Sequence, residues 1–264
     1  MLLPPALLFL AKDPIVDKYD LSSLELVITG GASAGKDLIE EVCKRLPNIK
    51  YIVQAYGMTE ATCTHLPILN NIQHASVGKL VSNLEQKIID LETGNELPIG
   101  QIGEICIKSP ANMMGYFNNP MATEECLDSE NWYKTGDIGY LDEEGFLYVV
   151  ERKKELIKVA GFQVAPTELE DVLMSKSDVR DCAVIGVPDE IKGEVPKAFI
   201  VKKNPNLTEQ QVIEYVKEKL SSYKWLQGGV EFVQEIPKAP SGKVLRRILR
   251  DRERNKSMLD VLGM

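Results

Sequence analysis

The 264-residue sequence lacks several features that would place it in a specialised class of protein. It has five cysteines but no CxxC pair, and their wide scatter predicts reduced thiols in a cytosol-like compartment, not a disulfide framework or a zinc site. It also lacks an excess of positive charge. The net charge of -8 argues against nucleic-acid binding, because phosphate contacts need clustered lysine and arginine.

Membrane and targeting signals are also missing from the sequence. No apolar run approaches the length of a membrane span. The apolar start, MLLPPALLFLAKD, has no basic segment and is interrupted by Pro4-Pro5, so it predicts a core helix that begins after the prolines, not a signal peptide. The final Leu262-Gly263-Met264 is not a peroxisomal Ser-Lys-Leu address. We therefore expect a cytoplasmic protein.

What is present suggests two domains. The length suffices for two cores, and 44% apolar with 27% charged residues is ordinary for a globular protein. Residues 1–150 predict an α/β part whose later stretch, from residue 76, is rich in short strands and glycine turns. The charged run 151–155 predicts a solvated connector, and residues 151–264 predict a compact α+β domain.

Three local patterns in the first domain suggest ligand binding. The stretch from Gly30 to Asp37 nearly matches a phosphate loop, but Asp37 replaces the hydroxyl that would bind magnesium. Its glycines therefore indicate either close approach of a flat ligand or a tight turn. Asp137 follows Gly136 in a predicted turn that exposes the carboxylate. Asp137 is expected either to accept two hydrogen bonds from a diol or simply to stabilise the turn.

The third pattern, Tyr56-Gly57-Met58-Thr59-Glu60, follows a predicted strand at 51–55. Ligands gather outside the carboxyl ends of strands in open α/β sheets. In one interpretation, Tyr56 stacks on a base, Thr59 binds a phosphate oxygen and Glu60 holds a divalent cation. The alternative is a helix entry capped by Thr59.

The second domain contains two lysines of interest. Lys158 and Gly161 either frame a ligand channel or are a solvated lysine and a loop glycine. Lys243 ends a loop stiffened by prolines, and is either presented to an anion or solvated. Residues 188–196 predict a surface loop, Thr208 and Gln211 a capping box, and the basic run 243–256 a solvated helix face.

The order of these motifs is more specific than any one of them. The chain reads PPALLFLAKDPIVDKYDLSSLELVITGGA, YGMTEA, YKTGDIGYLDEEGFLYVVERKKELIK, GFQVAPTELE, GVPDEIKGEVPKAFIV and PSGKVLRR. This series resembles the adenylate-forming superfamily of acyl-CoA synthetases and luciferases. It is most similar to 4-coumarate:CoA ligase-like and medium- or long-chain acyl-CoA ligases. The resemblance covers essentially the whole chain.

The resemblance implies a fold and an activity. The fold would be the C-terminal part of a large adenylate-forming α/β domain, with a sheet and a small β-rich subdomain, followed by a small α+β lid domain. The activity would be an ATP-dependent ligation of a fatty or aryl acid to CoA, with Mg²⁺. A catalytically inactive protein that keeps a nucleotide- or partner-binding role is the alternative, and a luciferase-like oxygenase is the third.

The resemblance also implies roles for individual residues. Gly30, Gly31 and Ala32 would border the acyl and adenine pocket. Around the nucleotide, the implied contacts are Tyr56 at adenine, Thr59 at phosphate, Glu60 at magnesium and Asp137 at the ribose, with Arg152 nearby, and Gly57 would belong to the same binding site. Lys243 would stabilise the charge that develops on the α-phosphate. Lys158, Gly161 and Gln163 would lie where the lid meets nucleotide and thiol, with Gly161 leaving room for the pantetheine arm.

Departures from the family pattern qualify this picture. The Ser/Thr/Gly-rich phosphate loop and the upstream part of the large domain are absent from the sequence, so the chain resembles the C-terminal half of such an enzyme. Glu151 stands where the family usually has aspartate in the hinge region. Val159-Ala160 replaces the usual Tyr-Lys before the glycine, which affects the contacts of the thioester half-reaction.

Overall fold

The computed structural model describes residues 2–31, 36–73, 75–239 and 242–262. The chain separates into two compact units: unit 1 is Met1–Lys153 and unit 2 is Lys154–Met264. Both units combine helices with β-sheet. Among the described residues, no helix is both long and apolar enough to cross a bilayer.

Unit 1 has three α-helices and nine strands in its described part. The helices are α1 (Pro4–Lys12), α2 (Lys36–Arg45) and α3 (Pro120–Cys126). The strands are β1 (Leu26–Thr29), β2 (Tyr51–Gln54), β3 (Tyr56–Met58), β4 (Thr62–Leu66), β5 (Lys79–Leu80), β6 (Glu85–Ile89), β7 (Gly103–Lys108), β8 (Trp132–Leu141) and β9 (Leu147–Arg152).

The first part of unit 1 is a parallel pair, β1–β2, packed with α1 and α2. Helix α1 begins at Pro4, where the fixed φ and the missing N–H of proline suit a first helical turn. Its Leu7 is fully buried in a core that also contains Val42 and Ile52. The predicted core helix is confirmed, but it begins at Pro4 and includes both prolines instead of starting after them.

The second part of unit 1 consists of two antiparallel sheets, β3-β4-β5 and β6-β7-β8-β9. Alternation along β6 and β7 sends Ile88, Ile105 and Ile107 to one face, where they pack with Leu147 of β9. This region is the β-rich part expected from the density of short strands and glycine turns.

Unit 2 is built on one sheet. Its helices are α4 (Pro166–Met174), α5 (Glu209–Lys219) and α6 (Arg246–Leu262), and its strands are β10 (Ile157–Val159), β11 (Phe162–Val164), β12 (Val179–Asp189), β13 (Gly193–Lys202) and β14 (Val230–Phe232). The strand order is β11-β10-β13-β12, and β14 pairs in parallel with β13. The capping box is confirmed: Thr208 Oγ1 accepts from Gln211 N, and Gln211 Oε1 accepts from Thr208 N.

One local prediction was wrong and two were only partly right. The run 151–155 does contain the boundary between the units, after Lys153, and residues 152–154 are exposed, but Glu151 and Arg152 end β9, Glu151 is only 7% exposed, and Lys153–Glu155 is a 3-10 helix. Residues 188–196 are mostly strand, because β12 and β13 form one long hairpin. The basic run is not simply solvated either, since Arg246 is buried and pairs with Glu170.

Candidate functional site

Asp137 is the centre of the most organised polar cluster in unit 1. It lies within β8, its backbone N–H donates to Thr135 Oγ1 at 3.1 Å, and its residue is only 6% exposed. Gly136 precedes it with φ of 69°, a conformation that glycine adopts without strain. The prediction of an exposed carboxylate in a turn was wrong: Asp137 lies in β8 between β7 and β9, and Tyr56 and Arg152 contact its side chain.

Two donors hold the Asp137 carboxylate, one on each oxygen. The Tyr56 hydroxyl donates to Oδ2 at 2.7 Å, and Arg152 Nε lies 3.2 Å from Oδ1. Arg152 and Asp137 face each other in the β8–β9 register. Burial and the Asp137 charge raise the pKa of the Tyr56 hydroxyl, so it stays a donor. Each carboxylate oxygen keeps acceptor capacity for further hydrogen bonds.

The loop after β3 carries the hydroxyl and the carboxylate that the sequence singled out. The region is a β-hairpin, so the helix entry capped by Thr59 was the wrong interpretation. Thr59 is exposed in the connecting turn. Gly57 is required by the close approach of the two strands: a Cβ there would lie 2.4 Å from Thr62 O.

Glu60 is held by a segment more than fifty positions further along the chain. The Tyr116 hydroxyl donates to Glu60 Oε1 at 3.0 Å, and Met113 N donates to the Glu60 carbonyl at 2.7 Å. No group of three or more histidine, cysteine or acidic side chains suited to a metal ion occurs in the described ranges. A single carboxylate fits Mg²⁺ that arrives with a nucleotide, because Mg²⁺ usually takes one or two carboxylates plus substrate phosphates and water.

The glycines after β1 are only partly described. Gly30 is buried and its N–H donates to Leu2 O at 3.3 Å. Gly31 has φ of 83°, and a Cβ there would meet Leu3 Cδ2 at 3.1 Å. Ala32 lies outside the described residues, so the expected pocket border is described only through Gly31.

In unit 2, Lys158 and Gln163 are cross-strand neighbours on β10 and β11, and both are exposed. Ala160 and Gly161 form the two-residue turn between them, both with positive φ, 47° and 88°. A Cβ at Gly161 would meet nothing within 4 Å, so this side of the turn is open. The hairpin therefore presents a cation and an amide on one exposed face.

Lys243 lies in a tight loop just before α6. Its carbonyl accepts from Ala239 N at 2.8 Å, and the flanking Lys238 and Val244 form a β-bridge. Residues 240 and 241 of this loop lie outside the described ranges. Lys243 itself is half-buried.

The structure adds residues that the sequence patterns did not single out. Tyr116 holds Glu60, and His65 lies opposite Tyr56 in the β3–β4 register. Gln86 of β6 contacts the His65 ring. These partners come from two different sheets and a distant loop, and only the tertiary fold brings them together. No local motif in the sequence indicates them.

Comparison with known proteins gives consistent results for both units. Residues 1–117 match the family described as AMP-binding enzyme, and residues 168–243 match the AMP-binding enzyme C-terminal domain. The chain is 44% identical over 252 residues to a probable 4-coumarate–CoA ligase of Dictyostelium discoideum, covering 95% of this chain and 46% of that protein. It is 46% identical over 260 residues to 4-coumarate–CoA ligase of Vanilla planifolia, covering 94% and 46%.

Solved structures show the same likeness. The ATP-bound MatB of Rhodopseudomonas palustris superposes with a TM-score of 0.87 at 30% identity, covering 94% of this chain and 49% of that one. The o-succinylbenzoate CoA synthetase of Bacillus subtilis, solved with its acyl-adenylate intermediate, gives 0.74 at 32% identity, covering 89% and 48%. The chain thus spans about half the length of the relatives that it matches.

Proposed function

The chain belongs to the adenylate-forming superfamily of AMP-binding enzymes, and from that premise we propose that it works in an ATP-dependent acid:CoA ligase. In the first half-reaction a carboxylate oxygen attacks the α-phosphate of ATP, giving an acyl adenylate and pyrophosphate. In the second, the CoA thiol attacks the acyl carbon, giving the thioester and AMP. The substrate acid is proposed to be aryl or fatty, and relatives named for 4-coumarate favour the aryl class.

The observation that carries this proposal is the fixed carboxylate of Asp137. Tyr56 and Arg152 donate to its two oxygens from different strands, so its orientation is set without a ligand. We assign Asp137 to the ribose hydroxyls, which would use its remaining acceptor capacity. The Tyr56 ring would pack against adenine, and Arg152 would hold the Asp137 carboxylate in place.

The phosphates of the nucleotide are assigned to the turn after β3. Thr59, exposed in that turn, would donate to a phosphate oxygen, and Gly57 keeps β3 and β4 close enough to form the turn. Glu60 would take part in holding Mg²⁺, with Tyr116 keeping one of its oxygens in place. When bound, Mg²⁺ neutralises charge on the phosphates as the acyl–phosphate bond forms. Gly30, Gly31 and Ala32 are assigned to the border of the acyl and adenine pocket.

The lysines of unit 2 are assigned to different half-reactions. Lys243 would stabilise the negative charge that develops on the α-phosphate during adenylation. Lys158 and Gln163, side by side on the β10–β11 hairpin, would serve the thioester step. The open space at Gly161 suits passage of the thin pantetheine arm. A mobile C-terminal domain that supplies the two sets of contacts in turn is a general device for such two-step enzymes.

Calorimetry of the 264-residue chain with ATP and Mg²⁺ tests the nucleotide site. We expect saturable binding, weakened about tenfold by Asp137→Ala, because hydrogen bonds to a charged acceptor are lost. Glu143→Ala is the matched control: it removes an exposed carboxylate from the same unit and leaves affinity unchanged. Equal affinity of the Asp137→Ala and unsubstituted chains would overturn the assignment of Asp137.

A further inference from the structure

A fully buried histidine lies directly behind the proposed base platform. His65 is on β4 opposite Tyr56 of β3, and its residue is 0% exposed. Its neighbour Thr64 is also 0% exposed. Two buried polar side chains in an otherwise apolar region need hydrogen-bond partners, and their arrangement is therefore specific.

Both ring nitrogens of His65 have partners. Nε2 lies 2.7 Å from Gln86 Oε1, and Nδ1 lies 3.0 Å from Thr64 Oγ1. An amide oxygen can only accept, so Nε2 of the neutral ring carries the proton. The single proton of the Thr64 hydroxyl then goes to Nδ1 at 3.0 Å, because its other acceptor, the Tyr56 carbonyl oxygen, is farther away at 3.4 Å. Burial lowers the pKa of His65 to about 4, so the ring is neutral near pH 7. The two hydrogen bonds, on opposite sides of the ring, fix its rotation.

The fixed histidine contacts the ring of Tyr56. The ring centroids are 5.7 Å apart and the planes are tilted by 54°. The other end of Tyr56 is fixed as well, by the hydrogen bond of its hydroxyl to Asp137 at 2.7 Å. The plane of the Tyr56 ring is thus restrained at its hydroxyl by Asp137 and at its side by His65. A flat base stacks well only when that plane is correctly oriented.

We propose that His65, held as the neutral Nε2–H tautomer by Thr64 and Gln86, is a positioning residue that orients Tyr56 for stacking of a purine base. The inference rests on the proposed function, because it takes Tyr56 as the platform for the adenine of ATP. It adds to that function a set of residues, His65, Thr64 and Gln86, that does not touch the nucleotide. A neutral ring keeps extra charge away from the base.

Binding of two ligands that differ only by the base distinguishes a role of His65 in positioning Tyr56 from a general effect of His65 on the stability of the chain. AMP and ribose 5-phosphate share the sugar and the phosphate, so a loss confined to AMP reports the adenine contact. We expect His65→Leu to weaken AMP binding about tenfold, a typical value for loss of one base–aromatic stack, and to leave ribose 5-phosphate binding unchanged. Ile49→Val, in the separate core of α1, α2, β1 and β2, is the control for lowered stability and leaves both affinities unchanged.

A spectroscopic readout does not depend on any substitution of His65. The chain has only two histidines, so His74→Gln leaves His65 as the single imidazole. Its ¹⁵N spectrum is expected to show the Nε2–H tautomer from pH 8 to pH 5, with an additional shift on adding AMP. A Nδ1–H tautomer, or a ring that takes up a proton near pH 6.5, would overturn the inference even if every His65 variant failed to fold.

The outcomes also separate this inference from the proposed function. If AMP and ribose 5-phosphate lose affinity equally in His65→Leu, the positioning role is wrong and the nucleotide site stands. If neither ligand binds the unsubstituted chain, the proposed nucleotide site fails and the inference fails with it. Selective loss for AMP, with the Nε2–H tautomer present, supports both.

Discussion

Lys153 Nζ donates to Glu104 Oε2 at 2.7 Å, which joins the last residue of unit 1 to a carboxylate on β7. The Glu104 side chain is 6% exposed, whereas that of Lys153 is 46% exposed. The chain at the end of β9 is therefore fixed to its own sheet by the lysine, by the buried Glu151 and by the Arg152–Asp137 pair. Lys154, the next residue, is exposed and belongs to unit 2.

The first prediction concerns this ion pair. Lys153→Ala should lower the free energy of unfolding of unit 1 by about 1–3 kcal/mol, because it leaves a buried carboxylate without its partner. Lys154→Ala removes the same charge one position later and should change stability by about 0.5 kcal/mol or less. Urea unfolding curves of the two variants check this. Identical midpoints would contradict a stabilising role for the pair.

A second prediction separates strand packing from backbone strain. Gly57→Ala should cost about 1–3 kcal/mol, because its Cβ would overlap the Thr62 carbonyl, and should displace the adjacent Tyr56. Gly94→Ala should cost a similar amount for a different reason, since Gly94 has φ of 72° with open space around it. Thermal unfolding and AMP binding are measured together. We expect only Gly57→Ala to weaken AMP binding, and a parallel loss in both variants would contradict the role of Gly57.

The third prediction is a pH dependence of stability that comes from His65. Its pKa is about 4 in the folded chain, against 6.5 for the exposed group. Between these two pH values the unfolded chain binds more protons than the folded chain. The contribution of His65 to the free energy of unfolding is therefore complete above pH 6.5 and is lost as pH falls towards 4. The free energy of unfolding should fall by about 2 kcal/mol between pH 7 and pH 5 from this group alone.

Substitution identifies the source of that slope. The glutamine of His65→Gln does not titrate. The free energy of unfolding of this variant should therefore change by about 2 kcal/mol less between pH 7 and pH 5 than that of the unsubstituted chain. His74→Gln should retain the contribution of His65. Parallel stability–pH curves for the unsubstituted and His65→Gln chains would show that His65 is not buried in its neutral form.

The fourth prediction assigns the lysines of unit 2 to the two half-reactions. If the proposed roles are right, Lys243→Ala in a chain extended to the length of its relatives should lower the rate of adenylation by about a hundredfold, the loss typical of one stabilising donor. It should spare the reaction of preformed acyl adenylate with CoA. Lys158→Ala should do the reverse. Pyrophosphate exchange and thioester formation report the two steps separately, and equal damage to both steps by either variant would contradict the division of roles.

Some elements could be predicted because their causes are local. The capping box at Thr208 satisfies backbone donors three residues away, and Pro166 starts α4 through its own fixed φ. Other elements depend on distant partners. The segment 188–196 contains turn residues throughout, yet most of it is strand because β12 and β13 pair along their whole length. Turn propensity was outweighed there by a ladder of backbone hydrogen bonds.

The candidate site divides in the same way. Tyr56, Glu60 and Asp137 were identified from residue type, motif order and resemblance to a family. Tyr116, His65 and Gln86 were not identified, because the contacts that bring them into the site are distant in sequence. Tyr116 lies 56 positions from Glu60, and Gln86 lies 21 positions from His65. The sequence also predicted that Asp137 is exposed, whereas it is only 6% exposed and its carboxylate contacts Tyr56 and Arg152.

The sequence by itself determined the superfamily, the α/β character and the starts of individual helices. The signals for these features are ordered motifs, hydrophobic periodicity and capping, and each depends on residues that are close together in the sequence. Only the tertiary structure decided which polar groups meet. Pairing of β8 with β9 places Asp137 opposite Arg152, and pairing of β3 with β4 places His65 opposite Tyr56, whereas side-chain contacts between the two sheets join Tyr56 to Asp137 and His65 to Gln86. A buried polar group must find its hydrogen-bond partner wherever the fold provides one, and that choice depends on long-range geometry and not on neighbouring residues.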